Sequence, residues 1–235
     1  MTNIIIKIFS FVFIQFLLST SLCAQEHITQ FLGIPVDGYK PEMIKKIQDK
    51  GYTISPSDKD VLIGEFNGTQ VEIHIATNNN KVYRIMVADA NTRSEGDIKI
   101  RFNNLYQQFE NNKKYMPAPS STVESGYIPE DEKISHGLSI KNKRYQAVFY
   151  QMPTELDTIA VAKEMQNILL TKYTEEQLSN LTEDEQEDII MFAASFLFDK
   201  YSKSPVWFMI DEHYGKYYIT MFYDNVYNQA KGEDL

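Results

Sequence analysis

The four histidines are the first residues to weigh for chemistry, because imidazole serves as base, acid and metal ligand near neutral pH. They stand at His27, His74, His136 and His213, and no two have a ligand spacing such as His-x-x-x-His. A serine nucleophile would need a setting such as Gly-x-Ser-x-Gly or Ser-x-x-Lys, and neither string occurs. Ser120 and Ser121 lie in a run of small and proline residues that reads as a loop. The single cysteine, Cys23, lies near the N-terminus. A body beginning after it has no thiol for disulfides, nucleophilic catalysis or metal ligation.

Carboxylates are plentiful, and a pair of them could cleave glycosidic bonds if folding brought them together. The run Glu183-Asp184-Glu185 follows Thr182, where helix capping explains it. Glu130-Asp131-Glu132 reads as a solvated turn. Asp211 and Asp224, at the ends of aromatic strands, are the better acid–base candidates, since one carboxyl of such a pair needs an apolar setting. The stretch Asp89–Asp97 alternates oxygen-bearing side chains like a calcium loop. It departs from an EF-hand, because Arg93 stands where a third oxygen belongs and Gly96 is misplaced. No catalytic residue, metal ligand or cofactor site follows from these patterns.

The remaining signal is aromatic. The chain has 15 Tyr and 14 Phe, more than a small core needs. Tyr214, Tyr217, Tyr218, Tyr223 and Tyr227 crowd the last hairpin and the tail. Tyrosine offers a large contact area at low entropy cost, so these five are the candidate binding residues, expected to be at least partly exposed.

The elements that must position them follow from periodicity. Pro41 opens a helix with Met43, Ile44 and Ile47 as its apolar stripe, and Gly51 closes it. Val61–Phe66, Asn67-Gly68 and the alternating Val71, Ile73 and Ile75 predict a hairpin, because Asn-Gly supplies two residues with φ > 0. Asn78-Asn79-Asn80 turns the chain into a third strand over 82–87. His74 falls on the face opposite the alternating aliphatics. Ile98, Phe102, Leu105, Tyr106 and Phe109 share a helical face. The spacing predicts a second hairpin with strands over 133–140 and 144–152. Helices follow, one with Ile159, Ala162, Met165, Ile168 and Leu169 on one face. Capping boxes at Thr174/Gln177 and Thr182/Glu185 open two more, the last with Ile189, Ala193, Phe196 and Leu197 as its buried stripe. The final strands, 206–210 and 217–223, are apolar on both faces, which predicts a central position.

The expected architecture is α+β: antiparallel sheet meanders with helices packed mainly on one face. Residues 25–235 form the body, with sub-structure over 28–116 and 127–235. Residues 1–24 read as a signal peptide: Lys7, an apolar run from Ile4 to Leu18, small residues, then Ala24 at the cleavage point. Lipidation at Cys23 is disfavoured, because Leu22 and Thr20 replace the small and aliphatic residues of a lipoprotein signal. No further segment is long and apolar enough to span a membrane. The chain is therefore expected to be exported, to the periplasm or beyond.

The formal net charge is −9, and removal of Lys7 makes it one unit more negative. Such a balance repels phosphate backbones, so nucleic acid is not an expected partner.

The stretch from Phe31 to Ala88, with Gly33-Ile34-Pro35, a short helix and three meandering strands, resembles helix-plus-antiparallel-sheet modules of bacterial envelope proteins. Examples are the SmpA/BamE type and the β-lactamase inhibitor protein. The strings Phe31–Gly38, Gly64-Glu65-Phe66-Asn67-Gly68, Arg101–Leu105, Tyr223-Asp224-Asn225 and Gly232–Leu235 also resemble a group of uncharacterised exported bacterial proteins. That likeness implies secretion and an α+β body, and it carries no activity. The expected function is a non-enzymatic exported domain that binds a protein or an envelope component. The alternative is a carboxylate-based hydrolase acting on an envelope or host polymer.

Overall fold

A computed structural model describes residues 27–118, 126–153, 158–230 and 232. The expected signal segment, its cleavage point, Cys23 and the loop serines Ser120 and Ser121 lie outside these residues.

The fold is α+β, built on one eight-stranded antiparallel sheet. Its strands are β3 (Thr53–Ile54), β4 (Val61–Phe66), β5 (Thr69–Asn78), β6 (Lys81–Asp89), β7 (Tyr115–Pro117), β8 (Gln146–Gln151), β9 (Pro205–His213) and β10 (Lys216–Asp224). Their spatial order is β3-β4-β5-β6-β10-β9-β8-β7. A separate two-stranded sheet pairs β1 (Gln30–Phe31) with β2 (Ile34–Pro35). The expected meander is present, with β4, β5 and β6 joined by tight turns. Asn67 and Gly68 have φ of 50° and 71°, and Asn79 and Asn80 have 47° and 66°, the left-handed values such turns require. The last strand in the chain, β10, sits in the middle of the sheet and joins β6 of the first half to β9 of the second.

Helix α1 (Lys40–Gln48) and helix α2 (Glu95–Glu110) cover one face. The first packs on β5 and β6, the second on β7, β9 and β10. Both bury the stripes their spacing predicts: Met43 and Ile47 in α1, and Ile98, Phe102, Leu105 and Phe109 in α2. They meet alternate strand residues such as Ile73, Ile85, Phe149, Phe208, Ile219 and Met221, all buried in one core. Phe102 lies 5.0 Å from Phe208, and Phe109 lies 5.0 Å from Phe149, centroid to centroid. The edges of the sheet are short. β3 has two residues and β7 has three, ending on Pro117, which lacks an N–H to offer a further strand.

The N-terminal segment is woven into the core. Phe31 and Val36 are fully buried. Thr29 Oγ1 donates to the Asp224 carbonyl at 2.5 Å, and Asn225 Nδ2 donates to the Val36 carbonyl at 2.8 Å. Strands from both expected sub-structures thus share one sheet, tied further by its first and last segments.

Two expectations are corrected here. The stretch 133–140 is not a strand. Residues Ile134–Ser139 form helix α3. Ile134 and Leu138, four apart, lie on one side of it, and the alternation that suggested a strand is the same sequence read at period two. Gly137 leaves room for Tyr145 against this helix, for a Cβ there would stand 1.9 Å from the Tyr145 hydroxyl.

The second correction concerns the helices inserted between β8 and β9: α4 (Thr158–Leu169), α5 (Glu175–Ser179) and α6 (Glu183–Tyr201). Both capping boxes form as expected. The α6 stripe buries less than expected, with Ile189, Ala193 and Phe196 half-buried and Leu197 exposed, while the shared face of α4 is half-buried at Ala162, Met165 and Ile168 and buried at Leu169. Ile159 stays exposed, and of the nineteen residues of α6 only Tyr201 is buried. The physical reason is position, since the helices that fill the main core are α1 and α2, leaving the insertion peripheral.

Candidate functional site

Strand alternation gives the sheet two different faces. One is buried under α1 and α2. Along β8 and the first part of β9 every second residue is half-buried instead, and these residues point to the other side. The registers align them: Met86 opposite Phe222, Phe222 opposite Trp207, and Trp207 opposite Val148. Tyr218, Met209, Ile63 and His74 share that face by the same parity. The resulting face is half-exposed at Met86, Val148, Trp207, Met209 and Tyr218 and buried along its middle at Thr220, Phe222 and Asp224.

Its centre is a stacked assembly. Trp207 lies on Phe222 with centroids 3.9 Å apart and planes 16° from parallel. The Arg84 guanidinium carbon stands 5.0 Å from the Phe222 ring centre and 5.5 Å from that of Trp207. Arg84 is held by Asp224, Nε to Oδ1 at 2.6 Å and Nη2 to Oδ2 at 2.8 Å. The Trp207 indole N–H donates to the same carboxylate at 3.0 Å. The hydrogen bond from Asp224, with the carboxylate's charge behind it, raises the Arg84 pKa against a smaller opposing effect of burial. At the other end of the strand pair, Thr220 Oγ1 donates to Asp211 Oδ2 at 2.5 Å. Helix α6 meets this face at Tyr150, whose ring takes the edge of Phe198 at 5.4 Å.

The five tyrosines proposed for binding divide by parity. Tyr214 sits at the tip of the β9–β10 hairpin with φ 50° and is 91% exposed. Its ring meets His213 at 4.4 Å. Tyr218 belongs to the open face. Tyr227 lies half-buried in the turn after β10, with Lys203 Nζ 6.0 Å from its ring centre. Tyr217 and Tyr223 are buried, and their expected exposure is corrected. Odd positions of β10 face the helices, so both belong to the core with Ile219 and Met221. Tyr223 packs 4.9 Å from Phe31, and complete burial holds its hydroxyl pKa far above the ordinary value. Tyr217 forms a two-way backbone bridge with Arg93, at 2.7 and 3.1 Å.

The ionisable candidates are dispersed. Asp211 faces Tyr218 across the strand pair, and Asp224 lies six residues further along β10, roughly 20 Å at the usual strand rise. That separation is well beyond the reach of a paired-carboxylate mechanism. Asp89 is buried between Arg101, at 3.1 and 3.3 Å, and Arg93, at 3.7 Å. Asp97 takes part in capping α2: its N–H donates to Ser94 Oγ at 3.2 Å, and its carboxylate accepts from the same hydroxyl at 2.6 Å. The oxygen-rich stretch 89–97 is therefore occupied by guanidinium and cap contacts. Glu132 accepts from the Tyr145 hydroxyl and from Lys143, in that order of effect, and its carboxyl is held below the ordinary range. His27 bonds the Gln151 carbonyl at 2.8 Å, while His74 stands 3.9 Å from Glu72. Among the described residues no group of three or more His, Cys, Asp or Glu is placed to hold a metal ion.

Sequence reasoning missed the Trp207–Phe222–Arg84–Asp224 assembly. The signal was available in the single tryptophan and in the parity of Arg84 and Met86 against the aliphatic positions of β6. What the face can do is bind. It offers apolar area at Trp207, Met209 and Tyr218, half-buried polar groups at Asp211 and Gln146, and a guanidinium already fixed in place. No family model matches the chain, and no curated protein or solved structure matches it.

Proposed function

We propose that the protein is an exported, non-enzymatic binding domain that holds a protein or cell-envelope component against the open face of its sheet. The observation that carries this reading is the sheet face half-exposed at Trp207, Met209 and Tyr218, where Trp207 stacks on the buried Phe222, stiffened by Arg84 and Asp224 and continued to the exposed tip at Tyr214. Large amphipathic side chains on a rigid surface are the common composition of recognition sites, because little conformational entropy is lost when a partner covers them. Export rests on residues 1–24, and the likeness of residues 31–88 to envelope modules points the same way. Among the described residues, no helix is long and apolar enough to cross a membrane.

The test is brief crosslinking of the affinity-tagged protein in its native envelope, with identification of what co-purifies. The reading requires a partner at near-stoichiometric yield that is lost in a Tyr214→Ser, Tyr218→Ser, Met209→Lys variant whose circular dichroism is unchanged. A partner retained by that variant, or none at all, overturns it.

A further inference from the structure

Helix α6 presents an outward stripe that no other described residue is seen to cover. Glu183, Glu187, Ile190, Ala194 and Leu197 follow one another at spacings of four and three, the seven-residue repeat of a helix–helix seam. All five are exposed, with Ile190 at 66% and Leu197 at 38%, and Met191 beside them at 70%. Other parts of α6 are engaged, Phe192 and Lys200 away from the stripe and Phe198 on its flank, four residues after Ala194. Lys200 pairs with Glu164 of α4, Lys172 stands 4.9 Å from the Phe192 ring, and Phe198 meets Tyr150. A small residue, Ala194, between two large ones lets a second helix approach closely. A nineteen-residue helix with one buried residue gains little from packing in this chain alone, so its free stripe is suited to a cover.

The charge pattern selects the cover. The stripe is acidic at its start and apolar at its end, over about 21 Å. A second copy fits poorly. Packed antiparallel, Glu183 would fall against Leu197, and packed parallel, Glu183 and Glu187 would face their own copies. An anionic bilayer is repelled by the same acids. We infer that the outer stripe of α6 docks an amphipathic helix of another protein, apolar along its seam and carrying Lys or Arg at the end that meets Glu183 and Glu187. This inference does not rest on the sheet face, since the stripe lies on another element.

The test is titration of the full mature protein into two fluorescent helical peptides with leucines at heptad spacing, one ending in lysines and one in glutamates. The lysine-ended peptide should bind saturably and weaken with salt, and the glutamate-ended one should bind at least about tenfold more weakly. Ile190→Glu with Leu197→Glu should abolish binding. Glu187→Lys, alone or with Glu183→Lys, should reverse the preference while far-UV circular dichroism stays unchanged. Equal affinity for both peptides, no saturable binding, or a preference that survives charge reversal overturns the inference. So does a dimer of the chain that Ile190→Glu dissociates, or binding to phosphatidylglycerol vesicles in place of the peptide. Because none of these readouts involves Tyr214, Tyr218 or Met209, failure here is distinguishable from failure of the sheet-face reading.

Discussion

Arg84 and Asp224 face each other on neighbouring strands as a two-bond ion pair, with the carboxylate only 5% exposed and the guanidinium 28% exposed. The pair lies under the Trp207–Phe222 stack, and the indole N–H closes the arrangement on the same carboxylate. The carboxylate has its bonds supplied by two partners, so its burial is compensated. Removing one partner strands the other.

Asp224→Asn should therefore destabilise the fold by about 2–3 kcal/mol, since a half-buried guanidinium loses its counter-charge and the indole keeps a weaker acceptor. Arg84→Met should cost a similar amount. Denaturant midpoints would measure both, and the double variant should cost less than the two single losses combined. Additive losses would show that the two side chains act independently.

Two glycines respond in opposite directions. A Cβ at Gly64 would stand 2.5 Å from the Tyr52 ring, so Gly64→Ala should destabilise by about 1–3 kcal/mol through forced displacement of a buried side chain. Nothing lies within 4 Å of a Cβ at Gly96, in the first turn of α2. Gly96→Ala should stabilise by about 0.5–1 kcal/mol, because alanine loses less backbone entropy there. Thermal unfolding of the two variants side by side gives the comparison.

Acidification should weaken the protein at His27. Burial lowers its pKa below the ordinary 6.5, against a smaller raising effect of the Gln151 carbonyl. The unfolded chain then binds the proton more readily than the folded one, so this contribution is complete above about pH 6.5 and is lost as the pH falls through the folded pKa. Urea midpoints measured from pH 7.5 down to 5 should fall more steeply for the native protein than for a His27→Gln variant. Parallel slopes would remove His27 from the account.

Thr182→Ala removes the hydroxyl that accepts from the Glu185 N–H and donates to the Glu185 carboxylate at the start of α6, and leaves the backbone N–H of residue 182 bonded to that carboxylate. The expected cost is about 1 kcal/mol, felt locally. Amide exchange should quicken along Glu183–Tyr201 while protection of β6, β9 and β10 is unchanged. A drop in protection of the central strands would mean that the insertion and the sheet unfold together.

The strands and helices that carry a clear single period were legible in the sequence. Asn67-Gly68 fixed a turn by backbone sterics alone, and Phe102 and Phe109 marked the buried side of α2. The helix over 134–139 was not legible, because Ile134 and Leu138 satisfy period two and period four alike. Tyr217 and Tyr223 were misjudged for a related reason. In a strand apolar on both sides, sequence gives the alternation without saying which parity faces the helices. The open face escaped notice because it exists only when Arg84, Trp207 and Asp224, from three different strands, are set side by side. The stripe of α6 read as buried is half-buried at Ile189, Ala193 and Phe196 and exposed at Leu197, because amphipathicity gives a helix an apolar side without saying how deeply the chain covers it.

The place of β10 has a bearing on synthesis. The strand that joins the two halves of the sheet is made last, and residues 29–36, made early, close against the segment beginning at Asp224. A growing chain thus has no complete core to adopt until β10 is available. Loss of the twenty residues from Lys216 onward, β10 included, would not trim the protein. It would split the sheet down the middle.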